Sequence, residues 1–324
     1  MNQTEMFRTS GHMRDLMLNK SDENQEPVYN TLCPETRAMI ERKSISVELI
    51  NQRGAKIELN GSEWKLIDVL CELLHEQSIN NNEPKEANFY VSRYGQHQTA
   101  YGSITAPTEQ LVFGLYEITK KYKGEERVSG KDIETVGKIL QEWDSNNEKR
   151  VLIRYKREIL KTDKSKRVQL IEAFQPLIII ASEQFIDYTP DGKETKSSKD
   201  TIVYLNPIFR DQIETKYINY PIGLTKRMIE AWGGHDIPEM VFKLRDYLAR
   251  EHSSKRFKCE ISIEKLYWQL SEKWMKQGRR KRVHTYMEKS IQTIIKLGLI
   301  KEYSLEMNKK GEPKIIFLLN EKWT

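Results

Sequence analysis

The sequence predicts an α+β fold in which a set of helices is followed by a β-hairpin twice along the chain. Apolar residues recur at the three- and four-residue spacing of amphipathic helices, and runs of alternating apolar and polar residues flank polar turns. The length of 324 residues exceeds one small core and fits two domains of roughly 100 to 200 residues each. With 38% hydrophobic and 31% charged residues, we expect both domains to bury apolar cores.

The first half of the chain is expected to open with a flexible tail, because residues 1–34 are polar and irregular. Alternating residues from Ile45 to Leu59 predict two short strands. Three helices should follow, and each begins at a residue type that favours a helix N-terminus. These starting residues are Ser62, Pro107 and Ser129.

A long hairpin is predicted after these helices, with arms at 149–160 and 167–180. Strands at 185–188 and 201–205 are expected to extend its sheet. Residues 149–167 hold nine Lys or Arg against two acidic residues, so this hairpin either lies on DNA or is an exposed ribbon that its charges keep soluble. Its candidate DNA contacts are Arg154, Lys156, Lys164 and Lys166.

The second half repeats this order in a more compact form. A helix predicted at Leu224–Trp232 stops at two glycines, and Asp236 and Ser262 are expected to cap the next two helices. The last helix begins in the basic run Gly278–Arg282 and ends at Gly298. Two strands, expected at 300–305 and 314–319, then flank a Lys-rich tip.

Helices, a basic helix and then a hairpin with a Lys-rich tip follow the order of a winged-helix module. In such a module the last helix enters the major groove and the hairpin contacts the flanking backbone. The far side of that helix must stay apolar, and Met287, Ile291, Ile294 and Ile295 supply this face. The alternative is a solvated basic loop without a ligand. Arginine forks can bind guanine edges, and threonine can contact a phosphate or a thymine methyl group. The candidate DNA-binding residues are Lys276, Arg279, Arg280, Lys281, Arg282, His284, Thr285, Lys289, Lys309 and Lys310.

The positive charge of the chain is concentrated in two segments. The net charge is only +6, yet residues 255–301 hold thirteen Lys or Arg against four Glu. The hairpin segment 149–167 is the second basic island, so the rest of the chain is net acidic. Basic islands on an acidic background are typical of proteins that bind a polyanion, and we therefore predict double-stranded DNA as a partner.

Other classes of function lack their signatures in the sequence. Three widely spaced cysteines predict neither a disulfide framework nor a zinc site. The glycine-rich segment 124–132 departs in spacing from a phosphate-binding loop and has Asp132 where such a loop needs a hydroxyl group. The six histidines include no closely spaced pair that a metal-dependent nicking site would need. We therefore predict no catalytic residue, no metal and no cofactor.

The chain also lacks a run of roughly 20 apolar residues, the length of a membrane helix, and its N-terminus has charged residues where a signal peptide would be apolar. These features predict a cytoplasmic protein without a membrane partner.

The order of elements resembles the iteron-binding plasmid replication initiators, which contain two tandem winged-helix domains. The segments that carry the resemblance are Ile202–Pro207 with Phe209, Tyr217–Pro221, Phe242–Leu248, Ser262–Leu270 and Lys289–Phe317. The predicted fold class is accordingly α+β with two tandem winged-helix domains. We place the tail at 1–34, the first domain at 35–215 and the second at 216–324.

The resemblance implies a plasmid DNA replication initiator that binds direct repeats at an origin through its second domain. It implies that the first domain pairs two copies into a homodimer, which exchanges with a DNA-contacting monomer. It also implies recruitment of the host replication initiator and helicase, without a cofactor. Two alternatives stay open: a winged-helix transcriptional regulator of a plasmid or phage, and an origin-nicking enzyme.

Overall fold

A computed structural model describes residues 6–10, 45–50, 59–80, 110–111, 114–143, 150–160, 166–175, 178–205 and 217–323. Within these ranges the chain combines helices with strands, in agreement with the predicted α+β class. The helices are α1 (Gly61–Asn80), α2 (Leu115–Lys123), α3 (Gly130–Trp143), α4 (Leu224–Trp232), α5 (Glu239–Ser253), α6 (Ile263–Leu270), α7 (Glu272–Lys276) and α8 (Arg280–Lys296). None of them is long and apolar enough to cross a membrane.

The described strands pair into four antiparallel sheets. Their orders are β1-β8, β2-β4-β5, β3-β7-β6 and β10-β11-β9. The strands are β1 (Met6–Ser10), β2 (Ile45–Ile50), β3 (Gln110–Leu111), β4 (Arg150–Leu160), β5 (Lys166–Gln175), β6 (Ile178–Tyr188), β7 (Glu194–Leu205), β8 (Tyr217–Pro221), β9 (Lys258–Ser262), β10 (Ile300–Met307) and β11 (Pro313–Leu319).

The first predicted hairpin is confirmed, because β4 and β5 pair from Val151–Gln175 to Leu160–Lys166. Its second arm ends at Gln175 rather than at 180, and Pro176, which has no amide hydrogen for a strand ladder, follows directly. The prediction that 185–188 and 201–205 extend this sheet is wrong. Both segments lie in a second hairpin, β6–β7, which belongs to a different sheet. The predicted strand residues 51–58 lie outside the described part of the chain.

The central helix α1 is capped two residues earlier than predicted. The Asn60 side chain accepts a hydrogen bond from the Glu63 amide at 3.0 Å, and the Glu63 carboxylate accepts one from the Asn60 amide at 2.8 Å. This reciprocal pair is a capping box, so the expected cap at Ser62 is wrong. A side chain at Gly61 would bring its Cβ within 1.9 Å of the Ile237 carbonyl oxygen. Glycine here therefore permits close packing of α1 against the segment before α5.

The helix expected at Pro107 begins only at Leu115. Gln110 and Leu111, which were expected inside it, instead pair with β7. The start of α3 is confirmed: the Ser129 hydroxyl and amide both donate to the Asp132 carboxylate, and the Asp132 amide donates to the Ser129 hydroxyl at 3.3 Å. Local capping signals were thus sufficient for α3, whereas strand pairing at a distance moved the start of α2.

The second half follows the predicted order closely. Helix α4 has its predicted bounds, and Ser262 caps α6 by accepting a hydrogen bond from the Lys265 amide at 3.2 Å. The expected cap at Asp236 is wrong, because α5 begins at Glu239 with Pro238 at the N-cap position. Proline fixes a φ near that required there but supplies no capping oxygen.

The core is continuous across the predicted boundary at 215/216. Strand β1, which lies in the segment expected to be a flexible tail, pairs with β8 from Met6–Pro221 to Ser10–Tyr217. The Trp64 ring of α1 stacks on Phe242 of α5, with ring centroids 6.1 Å apart. Helices of the two halves therefore share one apolar core.

A buried charge network joins the same two helices. Arg245 on α5 is fully buried and donates to both carboxylate oxygens of Asp68 on α1, at 2.5 and 3.1 Å. Its Nε atom donates to Asp246 at 2.7 Å, and the Tyr220 hydroxyl donates to the same carboxylate at 2.8 Å. Bidentate pairing of this kind fixes the relative position of the two helices.

Candidate nucleic-acid interface

Helix α8 has an apolar face and a polar face. Val283, Met287, Ile291 and Ile294 are buried and Ile295 is half-buried, which confirms the inward face. The helix ends as predicted: Gly298 adopts a φ of 78°, and the Leu299 amide donates to the Ile294 carbonyl at 3.3 Å, as glycine-terminated helices commonly do. The outward residues include Lys281, Thr285, Glu288, Lys289 and Gln292.

The beginning of α8 presents cations to solvent. A tight turn at Gly278, with a φ of 68°, leads into Arg279 at the N-cap position. Arg279 and Lys281 are exposed, and neither forms an ion pair with any residue in the described ranges. Both cations are therefore available for an anionic ligand. The four amides at a helix N-terminus add further donors for phosphate.

Two other arginines of the basic run are held against the protein. The Arg280 guanidinium binds the Glu264 carboxylate of α6 at 2.6 Å, and its central carbon lies 5.3 Å from the Tyr267 ring centre. The Arg282 guanidinium lies over the Trp274 ring of α7 at 4.3 Å. Cation–π contacts and exposed ion pairs are each worth about 1 kcal/mol or less. A phosphate can compete with these contacts, so both arginines can leave their intramolecular partners to bind one.

Both ring nitrogens of His284 lie close to polar partners. Its Nδ1 atom lies 2.7 Å from the Tyr267 hydroxyl, and its Nε2 atom lies 3.2 Å from the Glu288 carboxylate. Burial raises the pKa of Tyr267, against an opposing effect of Arg280. The Tyr267 hydroxyl and His284 Nδ1 share one hydrogen bond, and the Glu288 carboxylate lies at the other nitrogen of the imidazole ring. A direct DNA contact by His284 requires that it leave Glu288.

The remaining predicted contacts on the helices fall into different settings. Lys276 pairs with Glu272 on its own short helix at 2.6 Å, and the Lys289 ammonium lies 3.7 Å from the centre of the Trp232 ring. The Thr285 hydroxyl donates to the Lys281 carbonyl at 3.1 Å. All three residues are exposed. The predicted helical set thus lies on α7, at the start of α8 and at outward positions along α8.

The tip of the β10–β11 hairpin is an ordered turn. Asn308 accepts hydrogen bonds from the amides of Lys310 and Glu312 at 2.8 and 2.9 Å, and Gly311 adopts a φ of 75°. Lys309 and Lys310 are both exposed. The side chain of Asn308 therefore fixes the backbone that carries the two predicted tip cations.

The second basic island lies on the β4–β5 hairpin. Arg154 stands opposite Glu172 and Lys156 opposite Leu170 in the strand register, and Lys166 pairs with Leu160 at the hairpin end. Lys164 lies outside the described residues. These four positions are not adjacent in sequence to α8 or to the tip of β10–β11, and whether they contact DNA stays a prediction.

Sequence reasoning missed the residues that hold the cations in place. Glu264, Trp274 and Trp232 lie on three different elements, and only their packing against α8 brings them to the arginines and to Lys289. One local signal existed: Ser271 accepts a hydrogen bond from the Trp274 amide at 3.4 Å and so begins α7 as a separate helix.

Comparison of the chain with protein-family models, with curated proteins and with solved structures finds no match.

Proposed function

We propose that this protein binds double-stranded DNA through a winged-helix module formed by residues 239–319, with α8 in the major groove. The observation that carries the proposal is the arrangement of elements: helix α5, strand β9, helices α6 to α8 and a hairpin whose strands order as β10-β11-β9. In this order α8 packs on the scaffold through its apolar face and turns its basic end and polar side outward. This is the arrangement that a groove-reading helix requires.

The charge at the site supports the same conclusion. Arg279, Lys281, Lys309 and Lys310 are exposed at the end of α8 and at the hairpin tip. Phosphate contacts from such residues supply most non-specific DNA affinity, while arginine forks on the helix can read base edges. Arg280 and Arg282 would join them by exchanging weak intramolecular contacts for phosphates.

The wider role that we propose is plasmid replication initiation at direct repeats, in the cytoplasm and without catalysis of strand cleavage. In this proposal the first half is a second winged-helix domain, in which helices α1 to α3 precede the β4–β5 hairpin. It would join two copies into a homodimer that exchanges with the monomer. The support is the element order together with the second basic island at 149–167.

The test begins with selection of bound duplexes from random oligonucleotides by the full chain. We expect a recovered sequence that occurs as tandem repeats in the parent replicon, and affinity that falls by about 0.9 logarithmic units per tenfold rise in salt for each phosphate neutralised. An affinity that does not change between low and moderate salt would contradict DNA binding. A recovered sequence found only at a promoter would favour the transcriptional regulator instead.

Strand cleavage is tested separately with supercoiled plasmid, the pure protein and magnesium or manganese. We expect the plasmid to remain supercoiled. Accumulation of nicked or relaxed product, above the level given by a mock preparation, would instead establish a nicking enzyme.

A further inference from the structure

The β10–β11 hairpin has an apolar face that continues out of the core. Residues directly opposite each other in an antiparallel pair share one face of the sheet. Tyr303 stands opposite Phe317, and Leu305 stands opposite Ile315. Phe317 and Ile315 are fully buried in the core. Since strand positions alternate between faces, Tyr303, Leu305 and Met307 lie on this same side, which we call the apolar stripe.

The apolar stripe becomes more exposed toward the tip of the hairpin. Tyr303 is 36% exposed, Leu305 is 60% exposed and Met307 is 70% exposed. Single exposed apolar residues are common, but three at alternate positions on one strand form a continuous patch of the kind that binds a partner. The stripe leads directly to Lys309 and Lys310. Apolar surface and positive charge therefore meet at the end of the hairpin.

The opposite face of the same sheet carries charges of both signs. Glu302 and Glu306 alternate with the stripe along β10, and Glu260 lies on the neighbouring part of β9. Lys314 binds the Glu260 carboxylate at 2.8 Å and the Glu306 carboxylate at 3.7 Å. With Lys258 also on this face, three glutamates stand against two lysines, and the small net negative charge disfavours a polyanion. Of the two faces, the apolar stripe is thus the one that DNA can approach.

We propose that the apolar stripe is a minor-groove wedge, in which Leu305 and Met307 insert against base steps next to the site that α8 reads. Lys309 and Lys310 bind the phosphates on either side. Leucine and methionine are among the apolar side chains that unstack base steps when they enter the minor groove. The ordered turn at Asn308 presents the stripe and the tip cations together. This inference rests on the DNA-binding function proposed above.

The experiment uses the full chain and a duplex recovered by selection, prepared as a series in which 2-aminopurine replaces one adenine at a time. Unstacking of a base step raises 2-aminopurine fluorescence. We expect the parent protein to raise it at one or two positions beside the selected sequence. Leu305→Ser/Met307→Ser should abolish the rise, while affinity falls by no more than about tenfold and the salt slope is unchanged, because phosphate contacts supply most of the binding free energy.

Two matched variants locate the effect. Glu302→Ser, on the opposite face, should keep the fluorescence rise. Lys309→Ala/Lys310→Ala should lower the salt slope by roughly 2, because two phosphate contacts are lost. If circular dichroism shows that the double serine variant is unfolded, Met307→Ser alone, at the most exposed position, replaces it with the same expected loss of signal.

A fluorescence rise that survives the serine substitutions overturns the wedge. So does DNA binding by the parent protein without any rise, whereas an absence of DNA binding overturns the proposed function itself. A serine variant that keeps the rise but changes from dimer to monomer in sedimentation would assign the apolar stripe to contact between copies of the chain, and would also overturn the wedge.

Discussion

Charged side chains occupy two opposite settings in this chain, the exposed end of α8 and the buried junction between α1 and α5. At the end of α8, Arg279 and Lys281 face solvent, and Arg280 is held by an exposed carboxylate and an aromatic ring. At the junction, Arg245 and Asp68 have essentially no exposed surface and bind each other through two hydrogen bonds.

The difference separates charge that can bind a ligand from charge that fixes structure. An exposed cation loses little when it exchanges one anion for another, because water screens each pair. A buried pair cannot exchange, since breaking it leaves an ion without solvent or partner. Basic composition alone therefore does not identify a binding site, and the exposure of each cation must be known.

The largest expected effect comes from cutting the chain at the predicted boundary. A fragment of residues 216–324 loses Asp68 as the partner of Arg245, the Trp64 ring against Phe242 and strand β1 against β8. We expect it to lack a cooperative thermal transition, because its core is left open. The full chain is the control. A fragment that melts cooperatively would show that the second half folds without the contacts it makes to the first.

Next in size is the loss of the buried ion pair. Asp68→Ala should lower the free energy of unfolding by about 3 to 5 kcal/mol, because the buried Arg245 loses both of its hydrogen bonds to the Asp68 carboxylate. Urea denaturation measures the change, and Glu264→Ala, which removes an exposed partner of Arg280, should cost less than about 1 kcal/mol. Equal costs for the two variants would contradict the distinction between buried and exposed charge.

A smaller effect depends on pH. Burial lowers the pKa of Lys65 to about 8, with Lys123 adding to the shift. Between pH 8 and the ordinary lysine value of about 10.4, Lys65 is neutral in the folded chain and protonated in the unfolded one. The free energy of unfolding therefore increases as pH rises through this range. Its destabilising effect is complete below pH 8 and amounts to roughly 3 kcal/mol.

Lys65→Met is the variant that isolates this contribution. The difference in unfolding free energy between Lys65→Met and the parent should shrink as pH rises from 8 to 10, as followed by urea denaturation at each pH. Taking the difference removes the opposite effect of Tyr247, whose pKa burial raises to about 12. A difference that stays constant with pH would mean that Lys65 keeps an ordinary pKa in the folded protein.

The smallest effect concerns the cap of α6. Ser262→Ala should lower the free energy of unfolding by about 1 kcal/mol, because the Lys265 amide loses its acceptor. Ser253→Ala, at an exposed position, is the matched control and should change stability by less than about 0.5 kcal/mol. Indistinguishable urea midpoints for the two variants would mean that the cap contributes nothing.

The sequence was sufficient for elements that local rules determine. The stripe of Met287 and Ile291 and the terminating Gly298 predicted α8, and the serine–aspartate pair at 129 and 132 predicted the start of α3. Other contacts depend on residues far apart in the chain. Nothing near Arg245 indicates that its partner is Asp68, which lies 177 positions away. Likewise, β1 lies in the expected flexible tail. The sequence did not indicate this strand, because its partner strand is more than 200 positions distant.

The candidate site shows the same division. A run of basic residues at the start of an amphipathic helix was enough to predict the cations of α8. Which of them are held by Glu264, Trp274 or Glu288 follows only from the packing of α6, α7 and α8. The sequence therefore indicated the candidate interface, and the fold distinguishes the exposed cations without an ion pair in the described residues from those held by neighbouring side chains.

The central claim, that the exposed end of α8 binds DNA, is tested most directly by Arg279→Ala/Lys281→Ala in the full chain. Lys131→Ala/Lys322→Ala removes the same charge at exposed positions elsewhere and is the control. Fluorescence anisotropy with a selected duplex should show affinity lower by about two orders of magnitude for the first variant and nearly unchanged for the second. Equal affinities for both variants, with both folded by circular dichroism, would contradict the assignment of α8 as the DNA-binding helix.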